Sequence, residues 1–256
     1  MKRIATLFAA VMMFSGCAVL SSINWDPNAI SSAASKVLTA ASISDVQIVQ
    51  LCQQSMAQLD AKAVIDNGAY QQRLNRLFGR VKAVGNLPVN FKVYKTKEIN
   101  AFASGDGSVR VYSGLMDAMT DEELGAIVGH ELGHLVHQDT KNAMKKAYLA
   151  SAAVDAVGAA GSLGAITAST LGNITESFLN AQFSQKQEYA ADEYGFQFAI
   201  DCGQSPYSMY KALNKLLTLS GGSSAASSNL SQKFASHPKT SERAARMLAA
   251  AEAYKK

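Results

Sequence analysis

Two stretches near the start of the folded region repeat apolar residues at helical spacing: Ile48, Leu51, Cys52 and Leu59, then Leu74, Leu77, Phe78, Val81 and Val84. This predicts two helices, the second closed by Gly85 and Pro88. The period then falls to two. Val89, Phe91 and Val93 alternate with polar neighbours, Ala101 to Ser104 follows, and Val109 and Val111 lie beyond the turn Gly105-Asp106-Gly107. A small sheet of about three short strands is expected here. At Thr120 the helical pattern returns with a capping-box signature, Thr120 with Glu123 three residues on, which predicts a helix from Asp121 to about Gln138. The Ala/Gly/Ser-rich stretch from Ala143 to Gly172 is only mildly apolar and carries Asp155, which favours closely packed helices over a membrane span. A further helix is expected over about Ile174 to Ile200. Ser220 to Ser228 reads as a flexible loop, and an Ala-rich helix should follow His237-Pro238. No internal repeat is visible.

The first residues have a different character. Lys2 and Arg3 precede an apolar run from Ile4 to Phe14, which is too short to span a bilayer, and then come Ser15, Gly16 and Cys17. Residues 1–16 therefore read as an export signal, and the Ser-Gly-Cys ending resembles the bacterial lipobox, in which the cysteine is lipidated and becomes the new first residue. An ordinary secretory signal with a chance cysteine is the alternative. Because Ala18, not Asp, follows Cys17, a lipid-anchored location at the outer membrane, facing the periplasm, is expected. Residues 17–44 are rich in Ser and Ala and suit a flexible tether, leaving 45–256 as the globular domain.

Bulk composition supports this organisation. A chain of 256 residues with 48% hydrophobic residues can bury one good-sized core. Charged residues make up 17% and the formal net charge is +4; loss of Lys2 and Arg3 with the signal lowers it to +2. With no basic run interleaved with aromatics, nucleic-acid binding is not expected. Beyond Cys17, the cysteines are Cys52 and Cys202, which could form a disulfide in an oxidising compartment or remain as two buried thiols.

The chemistry concentrates in His130-Glu131-Leu132-Gly133-His134, inside the helix predicted after Thr120. A spacing of four sets both imidazoles on one helix face about one turn apart, where they can share a zinc ion. Zinc lowers the pKa of a bound water to about 7, and Glu131 stands beside the pair as a general base. A solvent-facing histidine pair without metal is the bland alternative. Context argues against it: three of the four histidines fall between His130 and His137, on a capped helix directly after a strand. Such a site needs a third protein ligand. His137 lies farther along the same helix, where a rise of about 1.5 Å per residue carries it past a metal held by the first two. Glu188 on another helix is a better candidate. Asp192, four residues on, shares its face and could accept the second ring N–H of a ligand histidine. From the residues alone, Glu188 and Asp192 could equally be a solvated acidic pair.

Taken together, Asn100-Ala101-Phe102-Ala103, His130 to His134, Glu188 to Asp192 and Ser236-His237-Pro238 with Arg243 resemble the HtpX-like family of gluzincin metallopeptidases. The resemblance covers about Asp45 to Arg243. It implies one zinc per chain held by His130, His134 and Glu188, with Glu131 as general base and His237 stabilising the oxyanion. Asp192 and Arg243 would support the ligands. The implied fold is α+β, a mainly helical zincin core with a small, partly antiparallel sheet and two metal-binding helices. The implied substrates are unfolded or misfolded envelope proteins, bound by main-chain pairing to the strand at Ala101 to Ser104 or at Val109 to Tyr112. The implied role is protein quality control. HtpX itself has membrane-spanning helices, whereas here a lipid would hold the enzyme to its membrane. A zinc-containing periplasmic chaperone or assembly factor with little proteolysis is the competing reading, although client binding alone has no need of Glu131. Neither reading fixes an oligomeric state.

Overall fold

The computed structural model describes residues 43–154, 166–220, 237 and 240–254. The export signal, Cys17, all of the tether but Ile43 and Ser44, the middle of the Ala/Gly-rich stretch and loop residues 221–228 lie outside the described residues.

Helix α1 (Asp45–Lys62) opens on a capping box in which the Ser44 hydroxyl accepts from the Gln47 N–H and the Gln47 side chain accepts from the Ser44 N–H. After the two-residue strand β1 (Ile65–Asp66), α2 (Ala69–Phe78) stops at Gly79, earlier than its apolar spacing suggested. Val81 and Val84 belong instead to the approach and first strand of a hairpin, β2 (Ala83–Val84) and β3 (Leu87–Pro88). Gly85, with φ of 58°, makes its tight turn. Three longer strands complete the β structure: β4 (Asn90–Tyr94), β5 (Ala101–Ala103) and β6 (Ser108–Tyr112).

The main sheet runs β1-β4-β6-β5. β4 and β6 are parallel, whereas β1 and β5 pair antiparallel with their neighbours. The three expected strands are present. β1 adds a fourth that is too short to show any alternation. β6 is flanked on both sides, so Val109 to Tyr112 cannot accept a further strand, and among the described residues β5 is left as the edge.

Beyond the sheet come α3 (Ser113–Ala118), α4 (Asp121–Val136), α5 (Asp139–Val154), α6 (Ala168–Leu179), α7 (Gln185–Asp201), α8 (Ser208–Ser220) and α9 (Thr240–Ala253). The Thr120–Glu123 capping box starts α4 as the sequence indicates. The single helix expected from Ile174 to Ile200 is two. α6 ends at Asn180, and a new capping box between Ser184 and Gln187 begins α7. Among the described residues no helix is long and apolar enough to cross a membrane.

Two apolar clusters hold these elements. In the larger, Val93, Val109 and Val111 of the sheet meet Leu74 and Phe78 of α2, Leu124 and Leu132 of α4, and Met209 and Leu213 of α8. In the smaller, Ile48, Leu51 and Cys52 of α1 meet Met144 of α5 and Ile174 and Phe178 of α6. Each fully buried Leu or Ile contributes about 1.5–3 kcal/mol of burial energy. This division also corrects the proposed disulfide: both cysteines are free. Cys52 is buried in the smaller cluster, where burial pushes its thiol up to about 11. Cys202 is an exposed C-cap of α7, so it is not the buried thiol that the alternative supposed either.

Helix α4 is buried along nearly its whole length. Its Gly125, Gly129 and Gly133 recur every four residues and form a flat stripe. A Cβ on Gly129 would lie 3.0 Å from the Gly195 Cα, and one on Gly133 would lie 2.9 Å from the Ala191 Cα. From the other side, a Cβ on Gly195 would lie 2.8 Å from the His130 nitrogen. Backbone therefore meets backbone where α4 crosses α7, and this contact brings the acidic start of α7 beside the histidines.

Candidate metal centre

His130, Glu131 and His134 project from the buried middle of α4, and Glu188 and Asp192 from the first two turns of α7. All five side chains are buried, with Glu188, Asp192 and His134 at zero exposure. His130 Nε2 and His134 Nε2 are 3.1 Å apart. Glu188 places one carboxylate oxygen 3.4 Å from His134 Nε2 and the other 3.7 Å from His130 Nε2. His237, before α9, sets its Nδ1 3.0 Å from Glu188 Oε1 and its Nε2 3.8 Å from Glu131 Oε1. One donor atom each from His130, His134, Glu188 and His237 lies within 4.8 Å of all the others.

The hydrogen bonds around the rings define what this cluster can hold. His130 Nδ1 donates to Asp192 Oδ1 at 2.9 Å, and His134 Nδ1 donates to Asp139 Oδ2 at 2.9 Å. With both Nδ1 positions protonated, each ring in its neutral, metal-binding form aims a bare Nε2 lone pair at the other and at a carboxylate. These three acceptors converge beside His237 Nδ1, which lies 3.0 Å from Glu188 Oε1 and 3.3 Å from His130 Nε2, and a cation held among them would satisfy all three at once. Tetrahedral ligands about 2.0–2.1 Å from zinc are about 3.4 Å from one another, the scale of the separations found here. The residues therefore fit a zinc ion, with soft-to-borderline nitrogen donors and one anionic oxygen.

Charge around the cluster is arranged to the same end. Burial, with the nearby Arg243 and His134 charges, pushes His130 below its ordinary value and keeps it neutral. Burial also disfavours the His134 cation, but hydrogen bonds to Asp139 and Glu188 outweigh it and raise that ring to about 9. Metal coordination needs the neutral ring, so proton and metal compete for this nitrogen. For Glu188, burial opposes ionisation, yet His237 and His134 hold it far below the usual carboxylate range. Asp192 is depressed likewise, with Arg243 and His130 overcoming the cost of burial. Arg243, only 3% exposed, reaches Asp192 Oδ1 at 2.6 Å, Asp192 Oδ2 at 2.7 Å and Glu188 Oε2 at 2.6 Å.

The structure thus gathers His130, Glu131, His134, Glu188, Asp192, His237 and Arg243 in one place. His137 caps α4 at its exposed end, away from the cluster. Three contributors escape the sequence reading. Asp139 follows the end of α4, and it turns back to His134 because Gln138 adopts φ of 60°. Gln187 donates to the other oxygen of Asp139. Phe183, in the break between α6 and α7, stacks on His134 with ring centroids 4.1 Å apart. The signal for the helix break was the Ser184-x-x-Gln187 capping box; Asp139 and Phe183 carry no local signal.

Clefts open on both sides of the cluster. One, of about 490 Å³, is walled by Ile99, Leu115, Ile127, Leu213 and Leu216 beside His130 and Glu131. The other, of about 1450 Å³, runs along β5 past Phe102, Tyr112, Phe178 and Phe183. Glu131 and His237 line both.

A helix-borne histidine pair, a carboxylate from a second helix and an adjoining edge strand define a zincin-type metallopeptidase core. Comparison with known proteins agrees: residues 65–251 match the model of peptidase family M48. The chain is 40% identical over 228 residues to metalloprotease LoiP of Escherichia coli, covering 86% of this chain and 87% of that protein. It is 34% identical over 250 residues to metalloprotease YcaL of the same organism, covering 95% and 94%. A third relative there, the beta-barrel assembly-enhancing protease, is 30% identical over 168 residues, covering 60% of this chain and 34% of that protein. The chain belongs to peptidase family M48, as the resemblance implied. It is a metalloendopeptidase that uses zinc and acts on proteins.

Proposed function

We propose that His130, His134 and Glu188 hold the zinc ion, that Glu131 takes a proton from the attacking water, and that His237 donates to the oxyanion formed at the scissile carbonyl. The convergence of the His130, His134 and Glu188 acceptors beside the free edge of β5 carries this reading. Zinc supplies Lewis-acid polarisation of water and carbonyl when bound. Glu131 is buried next to the ligands and open to both clefts, where a base must stand to reach a water held over a bound peptide. An oxyanion donor such as His237 contributes about 2.7–4 kcal/mol to a transition state. Asp192 and Asp139 fix the ring tautomers, and Arg243 holds Asp192 and Glu188 in position.

An extended segment adding to β5 presents its backbone to Ala101–Ala103 and its side chains to apolar cleft walls. Folded proteins hide both the free backbone and the apolar side chains that such a site takes, so unfolded or misfolded proteins are the clients. In this reading residues 1–16 are a signal peptide, Cys17 carries the lipid, 17–44 tether the peptidase to the periplasmic face of the outer membrane, and 45–256 form the catalytic domain. The relative named for enhancing β-barrel assembly supports clients that include β-barrel proteins.

Glu131→Gln tests the mechanism. Cleavage of casein, an unfolded protein, should fall by about 10²- to 10⁴-fold while zinc content is unchanged. Undiminished cleavage that a chelator still abolishes would remove Glu131 from the role of base. Equal protection of an aggregating client by both forms would favour the chaperone reading.

A further inference from the structure

Gln187 precedes Glu188 on the first turn of α7 and engages both ends of its amide. Its Oε1 accepts from the Ser184 N–H at 2.9 Å and so closes the capping box. Its Nε2 donates to Asp139 Oδ1 at 2.6 Å, while Asp139 Oδ2 accepts from His134 Nδ1 at 2.9 Å. The amide has only one workable orientation. Flipped, its oxygen would face a carboxylate and its NH₂ would face the Ser184 N–H.

Resting on His134 and Glu188 as zinc ligands, we propose that Gln187 is a positioning residue for the metal centre. It links the start of the helix that carries Glu188 to the carboxylate that orients His134. Gln187, the inner partner of the capping box, thereby sets the two ligands, which come from different helices, relative to each other. The two histidines receive unlike support. Asp192 behind His130 is braced by the Arg243 cation, whereas Asp139 behind His134 is braced by the neutral Gln187 amide. A neutral donor leaves more of the Asp139 negative charge to act on the His134 N–H, so the ring stays a strong metal donor.

Three variants of the full-length chain, purified in detergent, separate positioning from capping. Gln187→Glu keeps a capping box, since Glu serves at that position as well as Gln, but replaces the donor to Asp139 with a second carboxylate. Gln187→Met removes both functions. Ser184→Ala weakens the cap and leaves the Gln187 amide between the Ser184 N–H and Asp139. Zinc affinity is read by competition with a chromogenic chelator, and ring geometry by the visible bands of the cobalt(II)-substituted protein. Gln187→Glu and Gln187→Met should weaken zinc binding about 10- to 100-fold and shift the cobalt bands. Ser184→Ala should bind zinc within about twofold of wild type, since it leaves every metal-supporting hydrogen bond in place. Wild-type affinity and bands in both Gln187 variants would overturn the proposal, as would an equal loss in Ser184→Ala. The ligand assignment has its own control: if His134→Ala binds zinc like wild type, that assignment fails, whatever Gln187 does.

Discussion

Two networks of ionised side chains among the described residues, one on the sheet and one beneath β5, are built on opposite plans. On the sheet, one carboxylate is over-supplied with donors. Asp60 accepts from Arg110 at 2.8 and 3.0 Å, from Lys92 at 2.7 Å and from the Tyr94 hydroxyl at 2.6 Å. Beneath β5 the balance is reversed. Glu131, Asp139, Glu188 and Asp192 surround two imidazoles that donate from Nδ1, and among the described residues Arg243 is the one permanent cation bonded to any of them. A network closed by its own side chains joins α1 to the sheet and asks for nothing further. One left with converging acceptors is built around something the chain does not itself supply. Unbalanced buried charge, more than burial of charge as such, distinguishes the functional centre from the structural one.

The largest test of this contrast is metal removal. A strong chelator should abolish proteolysis and lower the midpoint of thermal unfolding, because zinc at 1,000 times its dissociation constant adds about 4 kcal/mol to stability. Calorimetry with and without chelator measures this, and an unchanged midpoint would mean that the acceptor cluster is not completed by metal. Next in size is the loss of each network's arginine. Arg243→Ala leaves Asp192 and Glu188 buried with an unpaired charge, a loss of about 3–5 kcal/mol. Arg110→Ala leaves Asp60 with Lys92 and Tyr94 and should cost about 2 kcal/mol, the worth of hydrogen bonds to a charged group. Urea unfolding of the two variants compares them directly. Equal losses would erase the distinction between the networks.

What could be read from the sequence follows how local each feature is. The His130–His134 pair and the Thr120–Glu123 cap are set by spacings of four and three within one helix, so they were legible before any fold was known. Glu188, His237 and Arg243 come from separate elements, and only the family resemblance connects them to the pair. The approach of α7 to α4 rests on Gly129 and Gly133, four residues apart, although a pair of small residues does not say which helix it meets. Asp139 depended on a left-handed residue at Gln138, which no periodicity reports. The expected helix across Asn180 to Ser184 shows the opposite failure. Polar and apolar spacing continued through a break that the Ser184 cap had already marked, and the break is what lets Phe183 stack on His134.

The smallest effect separates the two networks by pH. Hydrogen bonds from Arg110, Lys92 and Tyr94 overcome the cost of burial and depress Asp60 to about 2. A carboxylate depressed in the folded state contributes stability above its unfolded value, about 3.9, and that contribution is lost as pH falls through about 2. Asp60→Asn should therefore flatten the fall in thermal midpoint between pH 4 and pH 2. The metal centre should respond at higher pH, because coordination requires neutral His130 and His134 and protons displace the metal as the solution is acidified. Activity and bound zinc should thus be lost together while the Asp60 network is still intact. Thermal scans of wild type and Asp60→Asn across this range, alongside zinc content, make the comparison. If Asp60→Asn instead moved the pH at which zinc is released, the two networks would be coupled through the sheet, and the separation between a structural and a functional charge cluster would not hold.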